Sequence, residues 1–196
     1  MSDTNLDIEK LKNLQFKIMK DVAASALIPL MRIGDQLGLF QKLSELGPIN
    51  SKKFAEQARV DERYLREWLY ALSATDFVSY DGAKEEFSLS PEQKAVFADE
   101  EGPANMMGAY EVLAGQVYAE EKVLDAFKTG KGVAYENACP LCFTGTARFF
   151  KPSYQVNLIK KWLPMIDGFE EKMKLGGSFA DVGLSLIHIS EPTRHR

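Results

Sequence analysis

The stretch "DERYLREWLYALSATDFVSYDGAKEEFSLSPEQ" constrains the fold more than any other part of the 196-residue chain. Its apolar residues recur at Leu65, Trp68, Leu69 and Leu72, an i, i+3, i+4, i+7 set that a helix gathers on one face. Asp61 stands where an N-cap carboxylate meets the free N–H groups of a first turn. The period then changes. "FVSY" and "EFSL" flank Asp81-Gly82, which predicts two short strands joined by a turn. Ser90-Pro91-Glu92-Gln93 closes the unit with a capping serine, a proline at the first helical position and a capping-box glutamine.

The preceding chain supplies helices for this stripe to pack against. Leu11, Leu14, Ile18, Val22 and Ala26 predict a helix from about residue 6 to 32, with a kink or break at Pro29. "IGDQLGLFQKLSEL" predicts a second helix, stopped by Gly47 and Pro48. Ser51 is expected to cap a short third one that buries Phe54, Ala55 and Ala58. Helices followed by a hairpin make a winged helix, assigned to residues 1–100. Residues 101–175 read as a helical connector. There Tyr110, Leu113, Ala114, Val117, Leu124 and Phe127 form one apolar stripe, ended by "TGKGVAYENACP". A last helical region, "PSYQVNLIKKWLPMIDGFEEKMK", starts at Pro152, breaks near Leu163-Pro164 and stops at Gly176-Gly177. The expected fold class is mainly α.

Composition narrows the function classes. A hydrophobic content of 45% with mixed charges is ordinary for a globular protein. The start, "MSDTNLDIEKLKNL", lacks the basic and apolar segments of a signal peptide, and "AASALIPLM" is too short to span a bilayer. A cytoplasmic protein without membrane contact is expected. The net charge of -4 argues weakly against a polyanionic partner. The two cysteines, Cys139 and Cys142, form "CPLC". A redox pair needs a strand before it and a helix opening at it, whereas "KTGKGVAYENA" reads as irregular loop. A zinc site needs two more ligands, and there is no second cysteine pair. A plain loop pair is the expectation.

The order of parts, together with "FTGTARFFKPSYQVNLIKKWLPMIDGFEEKMKLGGSFADVG", resembles the N-terminal half of a class I S-adenosylmethionine-dependent methyltransferase with an N-terminal winged-helix domain. The resemblance covers residues 20 to 183 and is carried most strongly from Thr144 to Gly183. It implies that residues 176–183 are the first strand of a truncated α/β Rossmann-like domain. It also implies S-adenosyl-L-methionine as cofactor and a small-molecule methyl acceptor. Separately, the apolar stripes on the Leu11–Ala26 segment and the Tyr110–Phe127 helix leave more apolar surface than a small winged helix can bury alone. A homodimer formed through the N-terminal helices is therefore expected. In that family the strand continues as Asp-Val-Gly-Cys-Gly-x-Gly into the cofactor loop. Here Asp181 and Gly183 match, and the later glycines are absent.

Residues 184–194, "LSLIHISEPTR", resemble the in-frame translation of a sequencing-library transposon adapter, so residues 184–196 are expected to be a non-native tail. Both histidines, His188 and His195, fall in it, which leaves no histidine elsewhere for a nucleophile system or a metal site. The chain as it stands is expected to be an inactive fragment.

By the resemblance, four residues are candidate cofactor contacts. Asp181 would orient the ligand from the strand end and Gly183 would open the turn. Tyr154 and Arg148 lie in the helical entry, where a phenol or guanidinium could meet the cofactor carboxylate. The catalytic residues and the acceptor are not named by the sequence. The rival class is a winged-helix DNA-binding regulator reading with "DERYLREWLYALS". Arg63 and Arg66 are offset there by Asp61, Glu62 and Glu67, and the wing carries Asp81, Lys84, Glu85 and Glu86. Lys52, Lys53 and Arg59 are the cations that favour DNA, but the surface as a whole is not cationic, and nucleic acid is not an expected partner.

Overall fold

The computed structural model describes residues 6–178. Among them are ten α-helices and one two-stranded hairpin. The first helix, α1 (Ile8–Ser25), is capped by Asp7, whose carboxylate accepts from the N–H groups of Glu9 and Lys10 at 3.1 Å. It ends before α2 (Leu27–Gln36), so the break falls at Ala26. Pro29 lies inside the first turn of α2, where its missing N–H has no partner to lose. The predicted second helix is also divided. Gly38 takes φ 65 between α2 and α3 (Leu39–Leu46), a left-handed turn that a side chain would strain.

Gly47 stops α3 as expected, with φ 73. The cap of α4 (Ser51–Ala58) is Asn50, one residue earlier than predicted, accepting from the Lys53 N–H at 3.0 Å. Ser51 instead donates its hydroxyl to Glu62 at 2.7 Å. Helix α5 (Glu62–Ser73) begins at the Asp61 cap and buries Leu65, Trp68, Leu69 and Leu72, the predicted stripe. The wing pairs β1 (Ser79–Asp81) with β2 (Glu86–Ser88) antiparallel, Tyr80 opposite Phe87. Ile49 adds a third strand position, exchanging two backbone hydrogen bonds with Phe87 at 3.0 and 2.9 Å. The capping box of α6 (Pro91–Phe97) is formed as predicted.

One apolar cluster holds this unit together. Phe40 meets Trp68 edge to face at 5.2 Å and Phe97 at 5.4 Å. The Trp68 indole N–H donates to the Leu30 carbonyl of α2 at 2.8 Å, so its one polar atom is satisfied inside the core.

The connector starts with α7 (Met107–Tyr118) and α8 (Glu120–Thr129), two helices where one stripe was predicted. Phe127, placed in that stripe, is 87% exposed. Next comes α9 (Pro140–Asn157), which opens at "CPLC" and runs through Pro152. Pro152 is therefore interior, not a start, and the two cysteines stand at a helix N-terminus, not in a loop. A π-turn at Leu158–Trp162 and a 3₁₀ turn at Leu163–Met165 make the predicted break, followed by α10 (Phe169–Lys174). Gly176, at φ 84, turns the chain beyond α10.

Candidate functional site

The part of the molecule that leads toward the predicted cofactor strand is the seam of α7 and α9. Its closeness comes from glycine. A Cβ on Gly108 would lie 2.5 Å from the Phe149 backbone nitrogen, and one on Gly145 would lie 2.7 Å from the Val112 nitrogen. These are backbone atoms that cannot rotate aside, so the two helices touch where side chains are missing. Sequence reading did not single out these glycines, although Gly108 and Gly115 stand two turns apart on one face of α7.

Arg148 projects from α9 into a cluster of carboxylates. Its Nη2 donates to Asp35 Oδ1 at 2.8 Å while Nη1 reaches Oδ2, a fork-to-fork pair with α2. Nε and Nη2 also donate to Glu100, and Glu111 Oε2 of α7 stands 3.9 Å from Nη1. The hydrogen bonds that Arg148 donates to Asp35, and then those to Glu100, hold the guanidinium charged well above its ordinary range, against the opposing effect of burial. Thr144 donates to Glu111, and Lys151 donates to Glu101 at 3.0 Å, so further pairs tie α9 to α7 and to the turn after α6. Asp35, Glu100 and Glu111 are partners that sequence reading missed. Their spacing follows no motif, because three separate elements bring them together.

Tyr154 lies nearly two turns further along α9, half-buried, with its ring perpendicular to Trp162 at 5.4 Å. The structure thus places Arg148 and Tyr154 on the same helix, upstream and downstream of Pro152. Asp181 and Gly183, with the rest of the predicted strand and tail, lie outside the described residues. Among the described residues no group of three or more His, Cys, Asp and Glu could hold a metal ion. No described helix is long and apolar enough to cross a membrane.

Apolar surface remains on the N-terminal helices. No residue of α1 is buried, and Phe16, Met19 and Val22 are each more than 60% exposed. Beside α1, a groove of about 490 Å³ opens between α2 and α7, lined by Ile28, Pro29, Arg32, Ile33, Val117 and Tyr118.

On α5, the reading helix of the rival class, Arg66 is paired to Glu62 at 3.0 Å, and in the wing Lys84 is paired to Asp81 at 3.4 Å. One cation on each of these elements is therefore already paired with its own neighbour.

The fold defines a winged-helix unit followed by a helical connector. Residues 23–98 match the Rv2258c-like winged HTH domain. Human N-acetylserotonin methyltransferase in complex with SAM has a TM-score of 0.57 to this chain at 14% identity, covering 86% of it and 51% of the human chain. PigF with SAH has a TM-score of 0.46 at 15% identity, covering 85% of this chain and 50% of that one. No curated protein matches the sequence. The chain spans about half the length of the solved structures it resembles. The likeness to human N-acetylserotonin methyltransferase holds at the level of the fold.

Proposed function

We propose that the chain is the N-terminal part of an S-adenosylmethionine-dependent methyltransferase acting on a small-molecule acceptor. The observation that supports this best is a conjunction. A winged helix and a glycine-packed α7–α9 pair share their fold with a methyltransferase, and "WLPMIDG" then leads into "FADVG". In this reading residues 1–100 form the dimerising winged helix, residues 101–175 the connector, and residues 176–183 the first strand of a Rossmann-like domain continued in a longer parent. Residues 184–196 are then foreign, and the 196-residue chain is inactive.

Asp181 and Gly183 take the cofactor contacts in this proposal, and the Tyr154 hydroxyl on α9 is a further candidate contact. Arg148 acts differently. Four of its five N–H donors are engaged and a third carboxylate stands close by. That donor set does not fit another carboxylate, so Arg148 positions α9 and leaves cofactor contact to other groups. The bound cofactor would supply an activated methyl group for direct displacement, in which alignment of the partners provides much of the rate. The described residues serve that alignment by fixing α9 to α2 and α7. The exposed faces of α1 and α8 and the groove between α2 and α7 are covered in the dimer. The protein works without nucleic acid or membrane.

Calorimetry with S-adenosylmethionine on the 196-residue chain, and on the product of the gene re-read across codon 183, tests the reading. Binding by the longer product alone is expected. Micromolar binding by the short chain would remove the roles given to Asp181 and Gly183. Failure of both to bind would end the methyltransferase assignment.

A further inference from the structure

The "CPLC" pair has a geometry that the methyltransferase reading does not use. Cys139 is the N-cap of α9 with extended backbone, φ −67 and ψ 126, and Pro140 is the first helical residue. The Cys142 N–H donates to the Cys139 carbonyl at 2.9 Å, so the two residues close a single turn on each other. A four-residue turn closed by this bond brings its end Cα atoms within about 7 Å, and a disulfide spans a Cα separation of about 4.4–6.8 Å. Neither cysteine is fully buried.

The surroundings hold the pair in register. Lys122 of α8 donates to the Asn137 carbonyl at 2.6 Å, two residues before Cys139. The Tyr135 ring packs on Phe143 with centroids 4.5 Å apart, tying the preceding 3₁₀ turn (Tyr135–Asn137) to the residue after Cys142. Both sides of the pair are therefore anchored, and little chain entropy remains to be lost on closing the ring. On the inner side Cys142 lies against α7, where a Cβ on Gly115 would meet its sulfur at 2.7 Å. A metal role lacks a ligand set among the described residues. In a reducing compartment such a pair suits a transient, exchanging disulfide better than a permanent one.

We propose that Cys139 and Cys142 form a reversible dithiol–disulfide site at the N-terminus of α9, which takes a low-molecular-weight disulfide as its oxidant. The thiolate of one cysteine attacks the small disulfide, forming a mixed disulfide and releasing one small thiolate. The second cysteine then attacks the mixed disulfide at the protein sulfur and releases the other small thiolate. The protein loses two S–H bonds and gains one S–S bond, while the small disulfide gains two electrons and two protons as two thiols. Burial, with the adjacent Cys139 sulfur, pushes the Cys142 thiol up, which keeps it protonated until the mixed disulfide has formed on Cys139. The proposal stands independently of the methyltransferase reading. Its product would clamp the first turn of α9 where that helix meets Gly115.

The 196-residue chain, equilibrated in glutathione buffers of graded ratio, is quenched with an alkylating reagent and its intact mass measured. Two alkylated thiols are expected at the reducing end. At the oxidising end none are expected, with a mass lower by two hydrogens and no glutathione attached. In Cys142→Ser, Cys139 should instead retain one glutathione. Two thiols that persist through the oxidising range, two glutathione adducts on the wild-type chain, or a covalent dimer would each overturn the proposal.

Discussion

Arg148 and Asp35 lie 113 residues apart in sequence and meet through two parallel hydrogen bonds. The side chain of Arg148 is 22% exposed and that of Asp35 14%. At that burial the pair is screened less than a surface ion pair, and removing one partner leaves the other poorly solvated. The pair joins the winged-helix unit to the connector.

Arg148→Ala should destabilise the protein by about 2–3 kcal/mol, below the value for a fully buried pair because water still reaches Glu100. Arg148→Lys keeps the charge and loses the fork, so a smaller loss of about 1 kcal/mol is expected. Urea unfolding of both variants checks this. A midpoint for Arg148→Ala that matches wild type would show the pair to be ornamental.

Gly145→Ala should cost about 1–3 kcal/mol, the usual penalty for overpacking, since its new methyl would meet the backbone of α7. Gly82→Ala, whose Cβ would find only Tyr80 at an ordinary 3.7 Å, should be close to neutral. Thermal melts of the two variants side by side make the comparison. Equal losses would mean that the glycine seam is not what limits the approach of α7 and α9.

Acid should loosen α1 before it reaches the core. Hydrogen bonds from the Lys10 and Glu9 N–H groups hold the Asp7 carboxyl below its ordinary range. A carboxylate whose folded value is depressed stabilises above its unfolded value, near pH 3.9, and loses that effect as pH falls through the folded value. Circular dichroism between pH 5 and 2 should therefore show a step in helicity that Asp7→Asn flattens. An identical profile in the variant would remove the cap from the account.

Association with random duplex DNA should be weak and should lack a steep dependence on salt. Arg66 and Lys84 are spent on Glu62 and Asp81, so few counterions would be released on binding. Fluorescence anisotropy at two salt concentrations decides it, and a steep slope would revive the regulator reading.

Sedimentation should find a dimer at micromolar concentration, because Phe16, Met19, Val22 and Phe127 otherwise stand in water. Phe16→Ser with Val22→Ser should shift it toward monomer. A monomeric wild type would leave those faces unexplained.

The winged-helix unit was the most legible part of the sequence, because its signals are local and agree with one another. The Asp61 cap, the α5 stripe, the Asp81-Gly82 turn and the Ser90 capping box each specify backbone within a few residues. The errors have local causes too. Asn50 outcompetes Ser51 because Ser51 is already committed to Glu62 across the α4–α5 corner. Gly38 divides an otherwise continuous apolar pattern by taking a left-handed turn. In the connector the signal is weaker. Helix α7 is apolar around most of its circumference, so its period could not show which face α9 would cover. Pro152 was read as a start because proline favours first turns, whereas α9 carries it through its interior. The partners of Arg148 were out of reach, since a pair this distant is settled by packing and not by spacing.

The long sequence interval closed by Arg148 also sets an order of assembly during synthesis. The cluster from Met31 to Phe97 holds every part of the winged-helix core except Met107. That unit can begin to collapse once residue 98 has left the ribosome. Asp35 then waits for about fifty more residues before Arg148 emerges. At elongation rates of roughly 5–20 residues per second, the wait is about 3–10 s. Throughout it the far side of α2 has neither α7 nor its guanidinium partner and stays open to whatever binds nascent apolar helices.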